Sequence, residues 1–236
     1  MTPRVVVLSA PSGGGKTSIA QALLARRADL GYSVSATTRK PRAGERHGAA
    51  YHFLDRDEFE RRRRAGEFLE HADYAGERYG TLQEEVARVL RSGRHVLMDI
   101  DVQGVRQVRR AYPPPRSLSV FIVPPAAGVL IARLRGRRTE SDADVRRRLA
   151  IAARETAEAL AALAERPSWW ARVLARPPLF DAVVVNDDLE QAVAQVSEMI
   201  DAPARAVRPS GELEARLAAL ARGLASAAEP LNQPHA

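Results

Sequence analysis

The N-terminal segment decides the fold: residues 4–9 read Arg-Val-Val-Val-Leu-Ser, and residues 10–17 read Ala-Pro-Ser-Gly-Gly-Gly-Lys-Thr. The short run of β-branched apolar residues is typical of a buried parallel strand. The glycine stretch follows directly, and apolar residues at helical spacing then predict a helix over residues 17–27. The order strand, glycine loop, helix indicates the start of an α/β fold.

Residues 10–17 match the Walker A pattern G-x-x-x-x-G-K-[ST], with Ala10 in place of the first glycine. Glycines let successive backbone N–H groups surround a phosphate group, and the dipole of the next helix adds to the attraction. The motif predicts that Lys16 contacts the β- and γ-phosphates and that the Thr17 hydroxyl binds Mg²⁺. A flexible glycine turn, the alternative, does not explain the strand before it and the helix after it. The nucleotide-binding residues predicted for this loop are Ala10, Pro11, Ser12, Gly13, Gly14, Gly15, Lys16, Thr17 and Ser18.

The alternation of strand and helix recurs three times further along the chain. Such alternation indicates a parallel sheet covered by helices on both faces, a three-layer core. The strands are predicted at residues 95–100, 118–123 and 181–185, and the helices that follow them at residues 102–110, 126–135 and 189–200.

Residues 33–81 depart from this pattern, since short segments rich in Tyr, Phe, Thr and Gly replace the long helices. We expect a small α+β lobe with its own mixed sheet, inserted between the first helix and the second core strand. Its helix is predicted over residues 55–65, with Asp55 as the N-cap. The four arginines at 61–64 are interpreted as a solvent-exposed helix face.

The C-terminal part is predicted to contain a long alanine-rich helix over residues 142–163 and a further helix over residues 212–225, with leucines at helical spacing. Between them, Trp169 and Trp170 lie in a segment for which the sequence predicts no function. Residues 202–210 are predicted to be a linker, and the tail beyond Pro230 is predicted to be disordered.

Composition narrows the class of protein. The 236 residues include no cysteine, which excludes disulfides, thiolate metal sites and cysteine nucleophiles. No stretch approaches the roughly 18 apolar residues of a membrane span, so we expect a soluble cytoplasmic protein with no membrane partner. The net charge of +7 raises the alternative of a nucleic-acid partner. Because the aromatic residues do not alternate with the arginines, that partner is not favoured.

Residues 32–53 combine Arg39 and Arg42 with Glu45 and Tyr51. Guanidinium groups match phosphate oxygens in two-point contacts, so this segment predicts a second anion site. From these residues alone, a polar, turn-rich hairpin with scattered charge is equally compatible.

The chain resembles the guanylate kinase family over roughly residues 4 to 200, because six separated motifs occur in the family's order after the glycine loop. These motifs lie at residues 32–53, 66–70, 76–81, 97–104, 133–140 and 185–188. The resemblance implies ATP-dependent phosphorylation of GMP to GDP with Mg²⁺ as cofactor, and GMP or dGMP as acceptor. It also implies a P-loop core at residues 1–32 and 82–201, a helical lid at about 136–150, and a GMP-binding lobe at 33–81.

The resemblance also implies roles for individual residues. The guanine edge would be bound by Ser35, Glu70 and Thr81. The GMP phosphate would be held by Arg39, Arg42, Tyr51 and Tyr79, with Glu45 supporting the arginines. Asp99 and Asp101 would lie at the acceptor site, at the end of a core strand. Arg137 and Arg148 would be lid arginines that close on the transferred phosphoryl group, and Asn186 would contact the adenine region of ATP. The residues predicted to be catalytic are Lys16, Arg39, Asp99, Arg137 and Arg148.

Two departures and several alternatives accompany this interpretation. Arg138 replaces a glycine that the family usually has in its lid, and the stretch from 149 to 186 is longer than the family norm. Asp101 is also a candidate N-cap for the helix that follows it. A kinase for a phosphorylated sugar would give Glu70 and Thr81 no role. A non-enzymatic scaffold would typically have a degraded phosphate loop, whereas Lys16 and Thr17 are present here.

Overall fold

The computed structural model describes residues 2–74, 76–136, 142–164, 178–202 and 211–229. Several sequence predictions concern residues outside these ranges: the predicted lid arginine Arg137, the departure at Arg138, the Trp169–Trp170 segment, most of the linker and the tail beyond Pro230. The chain divides into two compact units. Unit 1 comprises residues 1–9 and 17–120, and unit 2 comprises residues 10–16 and 121–236.

A five-stranded parallel sheet forms the core, with the strand order β2-β7-β1-β8-β9. In unit 1, β1 pairs in parallel with β7, so that Val5 lies opposite Val96 and Leu8 lies opposite Asp99. All five residues of β1 are buried, as the apolar run predicts. The elements of this part are β1 (Val5–Ser9), α1 (Lys16–Arg26), β2 (Leu30–Tyr32) and β7 (His95–Asp99).

The inserted lobe of unit 1 has its own mixed sheet, with the order β4-β3-β6-β5. β3 pairs in parallel with β4 and antiparallel with β6. Phe59 and Phe68 stack at 4.5 Å between ring centroids in its apolar core. The elements of the lobe are β3 (Ala36–Thr37), β4 (His52–Phe53), α2 (Arg56–Arg64), β5 (Phe68–Tyr74) and β6 (Glu77–Leu82).

The helix α2 confirms two predictions about the lobe. The Asp55 carboxylate accepts a hydrogen bond from the backbone N–H of Glu58 at 2.7 Å, as an N-cap does. Three of the four consecutive arginines are exposed, and all four form ion pairs with the neighbouring glutamates Glu58, Glu60 and Glu67. Three carboxylates therefore offset most of the charge of these four arginines within the lobe.

Two elements of unit 1 were absent from the sequence prediction. The strand β2 follows α1 directly, so that β2, and not β7, is the second core strand along the chain. The helix α3 (Gln83–Arg91) buries Val86 and Val89. A Cβ atom at Gly31 of β2 would lie 2.5 Å from Cγ1 of Val89, so glycine allows the close packing of this strand and helix. Unit 1 also contains α4 (Val102–Ala111) and the first residues of β8 (Ser117–Val123).

Unit 2 is mainly helical around the end of β8 and β9. Its last helix, α8 (Gly211–Ala228), buries Leu217, Leu220 and Leu224, three of the four leucines whose spacing predicted it. This helix packs along α6 and α5, and a Cβ atom at Gly223 would lie only 2.9 Å from Cβ of Ala127. The elements are α5 (Ala127–Arg135), α6 (Asp142–Ala164), β9 (Ala182–Val185), α7 (Leu189–Asp201) and α8 (Gly211–Ala228).

The observed strands and helices confirm the predicted α/β class with a parallel sheet and a small mixed lobe. Where a predicted element lies within the described residues, its observed ends differ from the prediction by a few residues at most. None of the helices in those residues is both long and apolar enough to span a bilayer.

Candidate functional site

The phosphate loop of unit 2 depends on its glycines for two separate reasons. Gly13 and Gly15 have φ of 87° and 94°, in the left-handed region that side chains disfavour. A Cβ atom at Gly15 would lie 2.1 Å from Nδ2 of Asn186, and one at Gly14 would lie 2.9 Å from the Pro11 carbonyl oxygen. The Gly14 N–H donates to that same carbonyl at 2.8 Å, which closes a tight turn. Residues 10–15 therefore form the compact loop that the motif predicts.

Three side chains from distant parts of unit 2 contact this loop. Arg148 of α6 donates from Nε to the Ser12 hydroxyl at 3.1 Å. The Ser12 N–H donates to Oε2 of Glu155 at 3.2 Å. The Asn186 amide donates to the Gly14 carbonyl at 3.1 Å. Arg148 was predicted to be a lid arginine and Asn186 to contact the adenine region of ATP, and the structure brings both side chains to the loop.

Glu155 was missed by the sequence analysis. It is 7% exposed, and it lies on α6 seven residues after Arg148. Residues separated by seven positions lie on the same helix face, two turns apart. That spacing was the available signal, but an alanine-rich helix with many charges gave no reason to single out one carboxylate.

Three side chains of unit 1 form a hydrogen-bonded group: Thr17, which follows the loop in sequence, Tyr32 and Asp99. The Thr17 hydroxyl donates to Oδ2 of Asp99 at 3.3 Å, and the Tyr32 hydroxyl donates to Oδ1 at 2.5 Å. Asp99 ends β7 next to β1, at the carboxyl edge of the parallel sheet, where α/β folds bind ligands. Two predicted residues, Thr17 and Asp99, are thus in direct contact.

Tyr32, the third member of this group, was also missed. Burial, and then the Asp99 carboxylate, raise the pKa of the Tyr32 phenol far above its ordinary value. The phenol therefore keeps its proton and acts as a hydrogen-bond donor that orients Asp99. It lies on β2, opposite Leu97 of β7, in the three-residue strand that sequence periodicity did not reveal.

The Arg39 and Glu45 side chains form an ion pair in the lobe. Nη2 of Arg39 donates to Oε1 of Glu45 at 2.8 Å, and the Arg42 N–H donates to Oε2 at 2.7 Å. The pKa of Glu45 is lowered, first by the Arg39 hydrogen bond and then by the Arg42 N–H. The pKa of Arg39 is raised by the same pairing. The predicted support of the arginines by Glu45 is therefore present, while the Arg42 side chain is exposed.

Two aromatic rings lie beside the Arg39 guanidinium. Its Cζ lies 5.4 Å from the Tyr51 ring centroid and 5.8 Å from that of Phe53, within cation–π range. Tyr51 and Tyr79 lie 6.0 Å apart in an edge-to-face arrangement. Burial raises the pKa of Tyr51 to about 12, with Asp99 and Tyr79 adding to the effect. The predicted cluster Arg39, Glu45, Tyr51 and Tyr79 is thus assembled, with Phe53 as a member not predicted.

Glu70 and Thr81 form the buried polar centre of the lobe. The Thr81 hydroxyl donates to Oε1 of Glu70 at 2.7 Å, and the two residues are paired across β5 and β6. Glu70 is 4% exposed and Thr81 is fully buried. Ser35 precedes the pairing of Ala36 with Gly80, so the antiparallel register places it across from Thr81. Of the three residues predicted to bind the guanine edge, Glu70 and Thr81 therefore lie on adjacent strands, and Ser35 lies directly before β3.

Asp101 carries the N-cap role that the sequence left open. Its Oδ1 accepts a hydrogen bond from the Gly104 N–H at 2.7 Å at the start of α4. Its role toward GMP stays a prediction, as do the roles of the other residues named for the two nucleotides.

Comparisons with known proteins identify the family of this chain. The profile of the family described as Guanylate kinase matches residues 2–203. The chain is 43% identical over 197 residues to the guanylate kinase of Chlorobium chlorochromatii (strain CaD3), which covers 84% of this chain and 94% of that protein. It is 39% identical over 227 residues to the guanylate kinase of Anaeromyxobacter dehalogenans (strain 2CP-C), which covers 96% of this chain and 92% of that protein. The crystal structure of guanylate kinase from Anaplasma phagocytophilum matches with a TM-score of 0.62 and 30% identity, over 86% of each chain. The chain therefore belongs to the guanylate kinase family.

Proposed function

We propose that the phosphate loop of unit 2 binds ATP and the lobe of unit 1 binds GMP, in the reaction that membership of the guanylate kinase family assigns to this chain: ATP + GMP = ADP + GDP. The observation that carries the proposal is the buried Glu70 carboxylate, which Thr81 holds in the same lobe as the Arg39–Glu45 pair. One lobe thus combines a group able to recognise a base with a group able to bind a phosphate.

On the acceptor side, guanine presents N1–H and the exocyclic N2–H₂ as adjacent donors on one edge. A carboxylate accepts two parallel hydrogen bonds from such a pair. Adenine presents an acceptor at N1, so its lone pair would face the negative charge of Glu70. The Thr81 bond orients the carboxylate, and Ser35 lies across from Thr81, directly before β3. Glu70 is therefore the residue that would select guanine.

The GMP phosphate is assigned to the arginine cluster of the same lobe. Glu45 holds the Arg39 guanidinium in place, and the rings of Tyr51 and Phe53 flank it. A pre-oriented guanidinium loses less side-chain entropy when it binds phosphate. The raised pKa of Tyr51 keeps its phenol protonated, so it can donate to a phosphate oxygen. Tyr79 and the exposed Arg42 complete this set.

On the donor side, the N-terminus of α1 and the backbone N–H groups of the loop other than those of Ser12 and Gly14 would hold the ATP phosphates. Lys16 would contact the β- and γ-phosphates. Glu155 and Asn186 keep the loop in its conformation, since they bond the Ser12 N–H and the Gly14 carbonyl. The Arg148 guanidinium donates a hydrogen bond to the Ser12 hydroxyl, where it would add positive charge beside the transferred phosphoryl group.

The residues present also fit a magnesium ion. The Thr17 hydroxyl and the Asp99 carboxylate are hard oxygen donors in direct contact, and Mg²⁺ typically takes one or two such groups and completes its shell with substrate phosphates and water. Among the described residues, no cluster of three or more His, Asp or Glu side chains forms a cation cage of its own, which suits a metal shared with the nucleotide. When bound, Mg²⁺ neutralises charge on the phosphate oxygens.

Phosphoryl transfer demands little covalent chemistry from the protein. It requires the acceptor oxygen and the leaving oxygen in line, and positive charge around the group that moves. The chain supplies positioning through Glu70, Arg39 and Tyr51, and charge through Lys16 and Arg148. No side chain needs to act as a dedicated base in this scheme.

A coupled assay that detects ADP release with ATP and each nucleoside monophosphate tests the proposal. We expect GMP to be the preferred acceptor, with AMP, CMP and UMP far slower. The same assay with phosphorylated sugars addresses the alternative acceptor class. Preference for AMP or for a phosphorylated sugar would contradict the assignment of Glu70 as the guanine-selecting residue.

A further inference from the structure

The position of the Glu70 carboxylate depends on a helix outside the lobe. Thr81 donates to Oε1, and Oε2 lies beside Gly104 of α4. A Cβ atom built at Gly104 would lie 2.6 Å from Oε2, closer than side-chain carbons approach an oxygen, and 3.1 Å from Cδ1 of Ile100. The carboxylate therefore occupies the space that any side chain at position 104 would need.

The same helix also holds the backbone next to Glu70. Gln107, one turn after Gly104, donates from Nε2 to the His71 carbonyl at 2.8 Å, and its Oε1 accepts from the His71 N–H at 3.2 Å. One amide side chain thus satisfies both backbone groups of His71. Because β5 lies at the end of its sheet, these groups lie on the outer edge, where no other strand in the described part of the chain pairs with them.

An irregularity in β5 explains why the bonds between Gln107 and His71 matter for Glu70. The register of β5 against β6 shifts between Phe68 and Glu70. Glu70 therefore follows directly after an irregular step in the strand, where pairing with β6 alone fixes its direction weakly. The two Gln107 bonds secure the next residue, and Asp101 secures the start of α4 through its bond to the Gly104 N–H.

We propose that Gly104 and Gln107 are positioning residues for guanine selection: Gly104 leaves room for the Glu70 carboxylate, and Gln107 sets the backbone that carries it. This inference rests on the proposed function of Glu70. It adds two residues that do not touch GMP but decide whether Glu70 presents both oxygens to the guanine edge.

The substitution Gly104→Ala tests whether the Glu70 carboxylate needs the space beside Gly104. Alanine is a better helix former than glycine, so α4 keeps its stability, and the group that must move is the end of a flexible glutamate side chain. We expect kcat/KM for GMP to fall on the order of a hundredfold, the scale of misplacing a binding group by about 1 Å. The KM for ATP and the melting temperature should stay at their wild-type values.

Inosine monophosphate separates positioning from a general structural defect, because it keeps N1–H but lacks the exocyclic amino group. A displaced carboxylate loses its second contact with GMP, whereas inosine monophosphate never had that contact. We therefore expect the preference for GMP over inosine monophosphate to fall about tenfold or more in Gly104→Ala. An equal loss for both substrates, or an unchanged preference, would overturn the positioning role.

The substitution Gln107→Met provides a second variant, since it keeps the length of the side chain and removes both bonds to His71. Arg106→Met is the matched control, because it places the same side chain at the neighbouring exposed position of α4. Loss of the GMP preference in Gln107→Met but not in Arg106→Met supports the inference. If the wild type selects GMP and neither Gly104→Ala nor Gln107→Met alters that selection, the inference fails while the proposed function stands. If the wild type does not select GMP, both fail.

Discussion

The two phosphate sites proposed for this chain are built by opposite means. The loop at residues 10–17 uses backbone N–H groups. Its main sequence requirement is glycine at positions 13, 14 and 15, where a side chain would meet neighbouring atoms. The site around Arg39 uses side chains from separate strands and turns, oriented by Glu45, Tyr51 and Phe53. A backbone site is encoded in a few consecutive residues, whereas a side-chain site exists only after the lobe has folded.

The difference predicts how each site fails. A backbone site tolerates many substitutions but fails abruptly where a Cβ atom enters it. A side-chain site weakens by degrees, since each supporting contact contributes a modest share. The four predictions below test this contrast, beginning with the largest expected effect.

Lys16→Ala removes the one charged side chain that the loop adds to its backbone donors. We expect kcat to fall on the order of a thousandfold or more, as loss of a major electrostatic contact in the transition state does. Steady-state kinetics with GMP and ATP measures it, with circular dichroism to show that the fold is intact. Lys40→Ala, at the only other lysine, is the control and should stay within a few-fold of wild type. A folded Lys16→Ala that keeps a tenth of the activity contradicts the loop assignment.

Glu70→Gln places an NH₂ donor where guanine presents its own donors. We expect kcat/KM for GMP to fall by a factor that corresponds to about 2–4 kcal/mol in activation free energy. This is the scale of losing a hydrogen bond to a charged group. Discrimination against AMP should shrink, and the KM for ATP should hardly change. The matched control is Glu67→Gln, a change at a partly exposed glutamate that pairs with Arg61. Wild-type kcat/KM for GMP in Glu70→Gln would rule out guanine selection by this residue.

Gly15→Ala and Gly44→Ala compare the two sites directly, since both glycines have positive φ, at 94° and 84°. Each substitution carries a backbone cost of about 1 kcal/mol or more in the free energy of unfolding. Only at Gly15 does the added Cβ meet a neighbour, Nδ2 of Asn186, whereas nothing lies within 4 Å at Gly44. We expect a raised KM for ATP in Gly15→Ala alone, measured by kinetics alongside urea unfolding. Equal effects on KM from both variants would remove the contrast between the sites.

Glu45→Gln should have the smallest effect and a defined pH dependence. The Glu45 pKa is lowered in the folded protein, so its ion pair stabilises the fold above the ordinary glutamate pKa, and this contribution is lost as pH falls through the lowered value. The difference in unfolding free energy between wild type and variant should therefore be constant near neutral pH and vanish in acid. A difference that grows as the solution is acidified would contradict the pairing with Arg39.

Local signals in the sequence predicted much of this fold. The β1 strand, the tight glycine loop and the Asp55 cap were predicted correctly because each depends on residues within a few positions of one another. The strand β2 was missed, since Leu-Gly-Tyr is too short to show a period. The helix α3 was missed although its apolar residues have helical spacing, because it adjoins the lobe whose segments are short.

The sequence by itself determined which chemistry is available: a glycine loop with Lys16, an arginine pair with a glutamate, and no cysteine. Only the tertiary structure decided which of these groups meet. Tyr32 bonds Asp99 across 67 residues of chain, and Glu155 bonds Ser12 across 143. Gly104 leaves space for Glu70, which no spacing in the chain could indicate. Such contacts depend on how strands and helices pack, and packing follows from the whole core rather than from any one segment.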